Sequence, residues 1–127
     1  MRTASVIARY LLGLLFAVTG ASGILQILQQ PLPANPIAVQ LLTAAVASHF
    51  AVFFFAVQLV AGLLLLTGLF VPVALILLAA ELYNILAFHL TLAPGALPAV
   101  LACVLWTSVF LQYRQSFQSV FEARPVV

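Results

Sequence analysis

Residues 72–90 read Pro-Val-Ala-Leu-Ile-Leu-Leu-Ala-Ala-Glu-Leu-Tyr-Asn-Ile-Leu-Ala-Phe-His-Leu, from Pro72 to Leu90. The run is apolar and long enough for a helix of about 20 residues to cross a hydrocarbon layer. Within it stand Glu81, Asn84 and His89, and with them one of the chain's two acidic residues and one of its two histidines. A carboxylate, an amide and an imidazole in such surroundings cost desolvation energy unless they find partners, which marks them as a candidate functional site. At about 100° per residue, Glu81, Asn84 and Phe88 share a helical face, with His89 about 80° round from Glu81. At about 1.5 Å per residue, Glu81 falls near mid-membrane and His89 near the far interface.

The rest of the chain belongs to the same solvent. Of 127 residues, 66% are hydrophobic and 5% charged, far from the usage of a water-soluble domain. The polar minority is clustered, and the apolar runs between clusters are long enough to span a bilayer. The net charge of +2 rests on four arginines without any lysine. No basic stripe exists to follow phosphates, which sets nucleic-acid binding aside. Cys103 is the single cysteine; it excludes an internal disulfide, a C-x-x-C pair and a cysteine-built zinc or iron–sulfur site, and is expected to pack as a small apolar residue. Ser5, Ser22, Ser48, Ser108, Ser116 and Ser119 occur in no nucleophile-elbow context, and no glycine-rich phosphate loop is present. No catalytic residue can therefore be named, and activity of the chain on its own is not expected.

Working outward from Pro72, the segment Thr67-Gly68-Leu69-Phe70-Val71-Pro72 is a very short turn, with Gly68 to end one helix and Pro72 to begin the next. Before it lies a span over about 51–67, whose one strongly polar residue is Gln58, read either as interhelical glue or as the wall of a site. The first span is expected over about 10–28, behind Arg2 and Arg9. A retained helix is favoured there over a cleaved signal peptide, because apolar character continues past Gly23 to Leu28. Gly13, Ala17, Gly20 and Ala21 lie close to one face of it, a pattern that lets helix backbones approach in lipid. Gln26, Gln29, Gln30 and Pro31, Pro33 and Pro36 end that helix. Asn35 and Pro36 then form a cap and first turn for a short interfacial or re-entrant helix from Ile37 to Ser48. After Ala93-Pro94-Gly95, a fourth span runs over about 96–113, with Trp106 as a packing aromatic and Tyr113 and Arg114 as interface anchors. Residues 114–127 form a polar tail, frayed or interfacial.

The fold class is thus all-α: one domain of 127 residues, an integral membrane four-helix bundle with a short extra helix between the first and second spans. Four spans place both ends on one side, and all four arginines lie at those ends, so the positive-inside rule puts both termini in the cytoplasm. His49 and His89 then fall at one outer level.

The pattern Val60-Ala61-Gly62-Leu63-Leu64-Leu65-Leu66, then Val71-Pro72-Val73-Ala74-Leu75 and Asn84-Ile85-Leu86-Ala87-Phe88-His89, closing on Trp106, Tyr113-Arg114 and Phe117, resembles the DoxX family of small bacterial four-helix membrane proteins. The segment from Arg9 to Gly20 is similar to that family's first helix. The resemblance implies a four-helix bundle in the bacterial inner membrane. In some members it also implies an association with thiosulfate:quinone oxidation or membrane oxidoreductase complexes. Gln58 stands where many members carry a glutamate.

The leading functional reading is an accessory or quinone- or lipid-binding component of a membrane redox system, with its ligand held by Gln58, Glu81, Asn84 and His89. Its cofactor would be a quinone, and its partners the lipid bilayer, a membrane or soluble oxidoreductase, and a second copy of the chain. Two alternatives belong to other classes. One is a structural or assembly subunit without chemistry, in which Glu81 helps the helices pack. The other is a small proton-coupled transporter built on a mid-membrane carboxylate. A metal or haem site of His49 and His89 is weaker still, because two ligands make little of a coordination shell.

Overall fold

The computed structural model describes residues 2–26 and 31–124, and the described chain is helical with no strand. The five α-helices are α1 (Arg2–Leu25), α2 (Pro36–Ala47), α3 (Phe50–Thr67), α4 (Val71–Thr91) and α5 (Leu97–Tyr113), and a 3-10 helix, Arg114–Phe121, continues directly from α5. α1, α3, α4 and α5 with its 3-10 extension are each long and apolar enough to cross a membrane. Leu28, Gln29 and Gln30, where the first span was expected to end, lie outside the described residues. α1 begins well before Tyr10 and carries Arg2 and Arg9 inside the helix.

Sequence punctuation sets the connections. Asn35 caps α2, its Oδ1 accepting the Ile37 N–H at 2.9 Å while Pro36 supplies the first turn. Gly68 ends α3 in the left-handed conformation at φ 75°, its N–H donating to the Leu64 carbonyl. Phe70 is also left-handed at φ 51°, immediately before α4. That conformation is uncommon for a bulky side chain, and the tight reversal imposes it. Phe70 and Leu69 are exposed there.

Each helix of the ring α1–α3–α4–α5 packs on the two beside it, α5 closing back onto α1. The neighbours are antiparallel. Gly20 meets the backbone around Phe55 and Leu59, whereas Gly13 meets Gly62 and Leu65. Trp106 of α5 donates its Nε1 hydrogen to the Leu75 carbonyl of α4 at 2.9 Å, and Ser5 of α1 lies against the Ser108 carbonyl at 3.5 Å. One end of the bundle therefore holds the start of α1, the α3–α4 turn and the end of α5, and with them Arg2, Arg9 and Arg114. The other end holds α2 and the turn around Gly95.

α1 and α3 form the closest pair because the small-residue face is spent on them. A Cβ on Gly62 would collide with the backbone N of Ala17 and lie 2.8 Å from the Gly13 carbonyl oxygen; one on Gly20 would lie 2.7 Å from the Phe55 carbonyl oxygen. This is the close backbone approach that small residues permit in lipid, made within one chain. Arg9, expected only as a flanking charge, reaches across this seam and donates from Nη1 to the Leu65 carbonyl. That carbonyl precedes the C-terminus of α3, where a cation meets the negative end of the helix dipole.

The core is the inward stripe of the four long helices: Leu12 and Phe16, Leu65, Val71, Leu75 and Leu78, and Val109. Cys103 and Trp106 pack against it, as expected of both. Outside the stripe, large apolar side chains such as Leu14, Phe53, Ile76 and Leu101 are exposed, the pattern of a surface turned to hydrocarbon. Of the tail expected to be frayed or interfacial, Arg114–Phe121 is the 3-10 helix, in which Phe117 is buried with its ring centroid 5.1 Å from that of Phe110.

Candidate functional site

Three helices meet through polar groups at mid-bundle. Gln58, nine residues before the end of α3, and Glu81, ten residues into α4, are the buried polar side chains of the bundle, at 3% and 6% exposure. The Gln58 Nε2 donates to Glu81 Oε2 at 3.3 Å, and Gln58 Oε1 accepts from the Thr19 hydroxyl of α1 at 3.0 Å. The amide does both, donating to the carboxyl on one side and accepting from a hydroxyl on the other. Gln58 thus joins α1, α3 and α4, and it also lines a cavity.

Above this bridge, away from the arginine end, a cavity of about 340 Å³ opens between all four long helices. Leu15 and Phe16 line its deepest part, Thr19 and Gln58 stand a turn further out, Phe54, Phe55 and Ile85 form apolar sides, and Ser22, His89 and Pro98 the outer part. From the level of Glu81 to that of His89 is a rise of about 12 Å along α4. At the outer end the His89 Nδ1 is buried without a hydrogen-bond partner among the described residues, and the ring packs edge-on to Phe88 with centroids 5.5 Å apart. A buried ring nitrogen left unpaired costs free energy.

The expected site residues are therefore divided. Gln58, Glu81 and His89 belong to one arrangement, Glu81 through its bond to Gln58 and His89 through the cavity wall. Asn84 is not brought to it: its side chain is exposed and donates to the Ala80 carbonyl of its own helix at 2.9 Å. The reason is rotational. Leu78, Glu81 and Leu82 are buried and Ile85 and His89 line the cavity, so the inward stripe of α4 lies on the His89 flank of Glu81. Asn84 is about 60° round on the opposite flank and faces out.

His49 precedes α3 in the left-handed conformation at φ 62°, is exposed, and does not line the cavity. Among the described residues no group of three or more His, Cys, Asp or Glu side chains could hold a metal ion. Thr19 and Ser22 are the residues the sequence reading left out. Their signal was present: they are three apart on α1, on one helical face, at the level where an antiparallel α3 carries Gln58.

Fold and site define a class: an all-helical protein with four helices able to cross a membrane, and among them an amphipathic cavity lined in part by Thr19 and Gln58 of a hydrogen-bonded Thr–Gln–Glu bridge. Comparison of the chain with protein-family models, curated proteins and solved structures gives no match.

Proposed function

We propose that this is a multi-pass membrane protein of the DoxX type that binds an amphipathic molecule, of the isoprenoid quinone class or a similar lipid, as an accessory component of a membrane redox system. The observation that carries the reading is the cavity among the four long helices, apolar along Phe16, Phe54, Phe55 and Ile85 and polar at Thr19, Gln58, Ser22 and His89. A molecule with hydrogen-bonding oxygens on a flat apolar ring satisfies both ends, and a cavity of about 340 Å³ is within the range of small-ligand sites, roughly 300–1,000 Å³. The resemblance to a family with redox-associated members supports the choice of ligand class. Glu81 would position Gln58 rather than touch the ligand, since Gln58 lines the cavity and Glu81 stands behind it. The test is direct: protein purified from its native membrane is extracted with organic solvent and the extract analysed for quinone, and saturable binding of a short-chain quinone is measured for the native protein and for His89→Phe. Quinone in the extract and weakened binding in the variant are expected; neither quinone nor saturable binding overturns the reading.

A second reading rests on the same bridge. Thr19, Gln58 and Glu81 join α1, α3 and α4, and interhelical hydrogen bonds of this kind stabilise membrane bundles by about 0.6 kcal/mol on average. If the protein is a structural or assembly subunit, Glu81→Gln leaves assembly and cellular phenotype intact; loss of phenotype with normal assembly contradicts it.

A further inference from the structure

The opposite end of the bundle carries a second recess that the proposed function does not use. It has a volume of about 450 Å³ and is walled by Phe110 of α5 with Arg114, Gln115, Gln118 and Phe121 of the 3-10 helix. The wall follows from the helix type. At three residues per turn, Gln115, Gln118 and Phe121 stand one above another along a single edge. Phe117, on the next edge, is buried and anchors the helix by packing on Phe110. Phe110 and Phe121 close the recess from two sides, edge to face with centroids 6.3 Å apart. One end of the recess is thus aromatic, and the other offers a guanidinium and two carboxamides, all donors.

The charge around it is mainly positive, with Glu122, directly after Phe121, as the exception. Arg2, Arg9 and Arg114 occupy this end of the bundle, and no carboxylate lines the recess. Arg9 is engaged at the Leu65 carbonyl, whereas Arg114 is exposed and has no salt-bridge or hydrogen-bond partner recorded among the described residues. A guanidinium with flanking amide donors is the arrangement that suits phosphate oxygens. Aromatic walls continuous with a hydrocarbon-facing helix suit the first part of an acyl chain.

We propose that this recess is a binding site for an anionic phospholipid, its phosphate on Arg114, Gln115 and Gln118 and its glycerol and upper acyl chain against Phe110 and Phe121. The site fixes the 3-10 helix at the membrane surface and gives the arginine end a preference for anionic headgroups beyond the general attraction of the four arginines.

Trp106, the chain's single tryptophan, reports on this site, because its ring stacks on that of Phe110 with centroids 5.1 Å apart. The protein is reconstituted in phosphatidylcholine vesicles into which phosphatidylglycerol or phosphatidylcholine with brominated acyl chains is titrated, and quenching of Trp106 fluorescence is followed. Brominated phosphatidylglycerol is expected to quench at a lower mole fraction than brominated phosphatidylcholine. Arg114→Gln is expected to weaken that preference about fivefold, whereas Arg2→Gln, which removes the same charge outside the recess, leaves most of it. Equal loss in both variants, or equal quenching by the two lipids in the native protein, overturns the proposal in favour of a diffuse surface potential. Loss of the preference on adding excess inorganic phosphate at matched ionic strength overturns it in favour of a soluble-phosphate site.

Discussion

Gln58 illustrates how little a single side chain has to do to decide whether this bundle holds together. Its amide makes two bonds, to Thr19 and to Glu81, each of modest strength, but its removal would leave a carboxyl group buried with no partner recorded among the described residues. The orphaned group outweighs the lost bonds, so Gln58→Leu is expected to destabilise the protein by about 1–3 kcal/mol, measured by thermal unfolding in detergent. Restoring much of that stability by adding Glu81→Leu would show that the cost lies in the stranded carboxyl rather than in packing. His89 is the opposite case. Its buried Nδ1 has no partner recorded among the described residues to lose, and His89→Phe, whose larger ring borders the cavity, is expected to change stability by less than about 1.5 kcal/mol while weakening ligand binding at least about tenfold. A large loss of stability in that variant would instead mark His89 as a packing residue.

Between elements, the decisive contact is the seam of α1 and α3. The Cβ of an alanine at position 62 would meet the backbone of Gly13 and Ala17, which cannot step aside as a flexible side chain can. Gly62→Ala is therefore expected to cost about 1–3 kcal/mol, measured by the same unfolding experiment; a neutral result would mean that the helices separate without penalty. The helices themselves were legible in the sequence. Gly68 with Pro72, Asn35 with Pro36, and Pro94-Gly95 punctuate long apolar runs, and each junction lies within a few residues of the place read from them. The rotation of each helix was not legible. Along α4 almost every residue is apolar, so hydrophobicity cannot say which flank of Glu81 faces inward; packing against α3 and α5 selects the His89 flank and leaves Asn84 outside. The same ambiguity hid Thr19, whose partner is 39 positions away. The packing of the tail was hidden for a different reason: Phe117 and Phe121 are spaced among polar residues and find their partner, Phe110, only once α5 is in place.

For the molecule as a whole, charge and cavity lie at opposite ends. Arg2, Arg9 and Arg114 share the end of the α3–α4 turn, and the cavity opens toward the end that carries Pro98. The positive-inside rule leads to the expectation that the arginine end faces the cytoplasm. Reporters fused beside Arg2 and beyond Arg124 are then expected on the cytoplasmic side, and one inserted at Gly95, where the loop is open, on the other. Reporters on opposite sides would break the four-span arrangement. On that topology the cavity would open on the side away from the cytoplasm, with His89 at its outer part and Gln58 deeper. The most direct measurement of the central claim is saturable quinone binding to the purified protein, compared between the native chain and His89→Phe. The account predicts stoichiometric binding to the native chain and at least a tenfold weaker affinity in the variant, the loss of about 1.4 kcal/mol that one hydrogen bond to the ring nitrogen represents. Equal affinity in the two proteins, or no saturable binding in either, would contradict it.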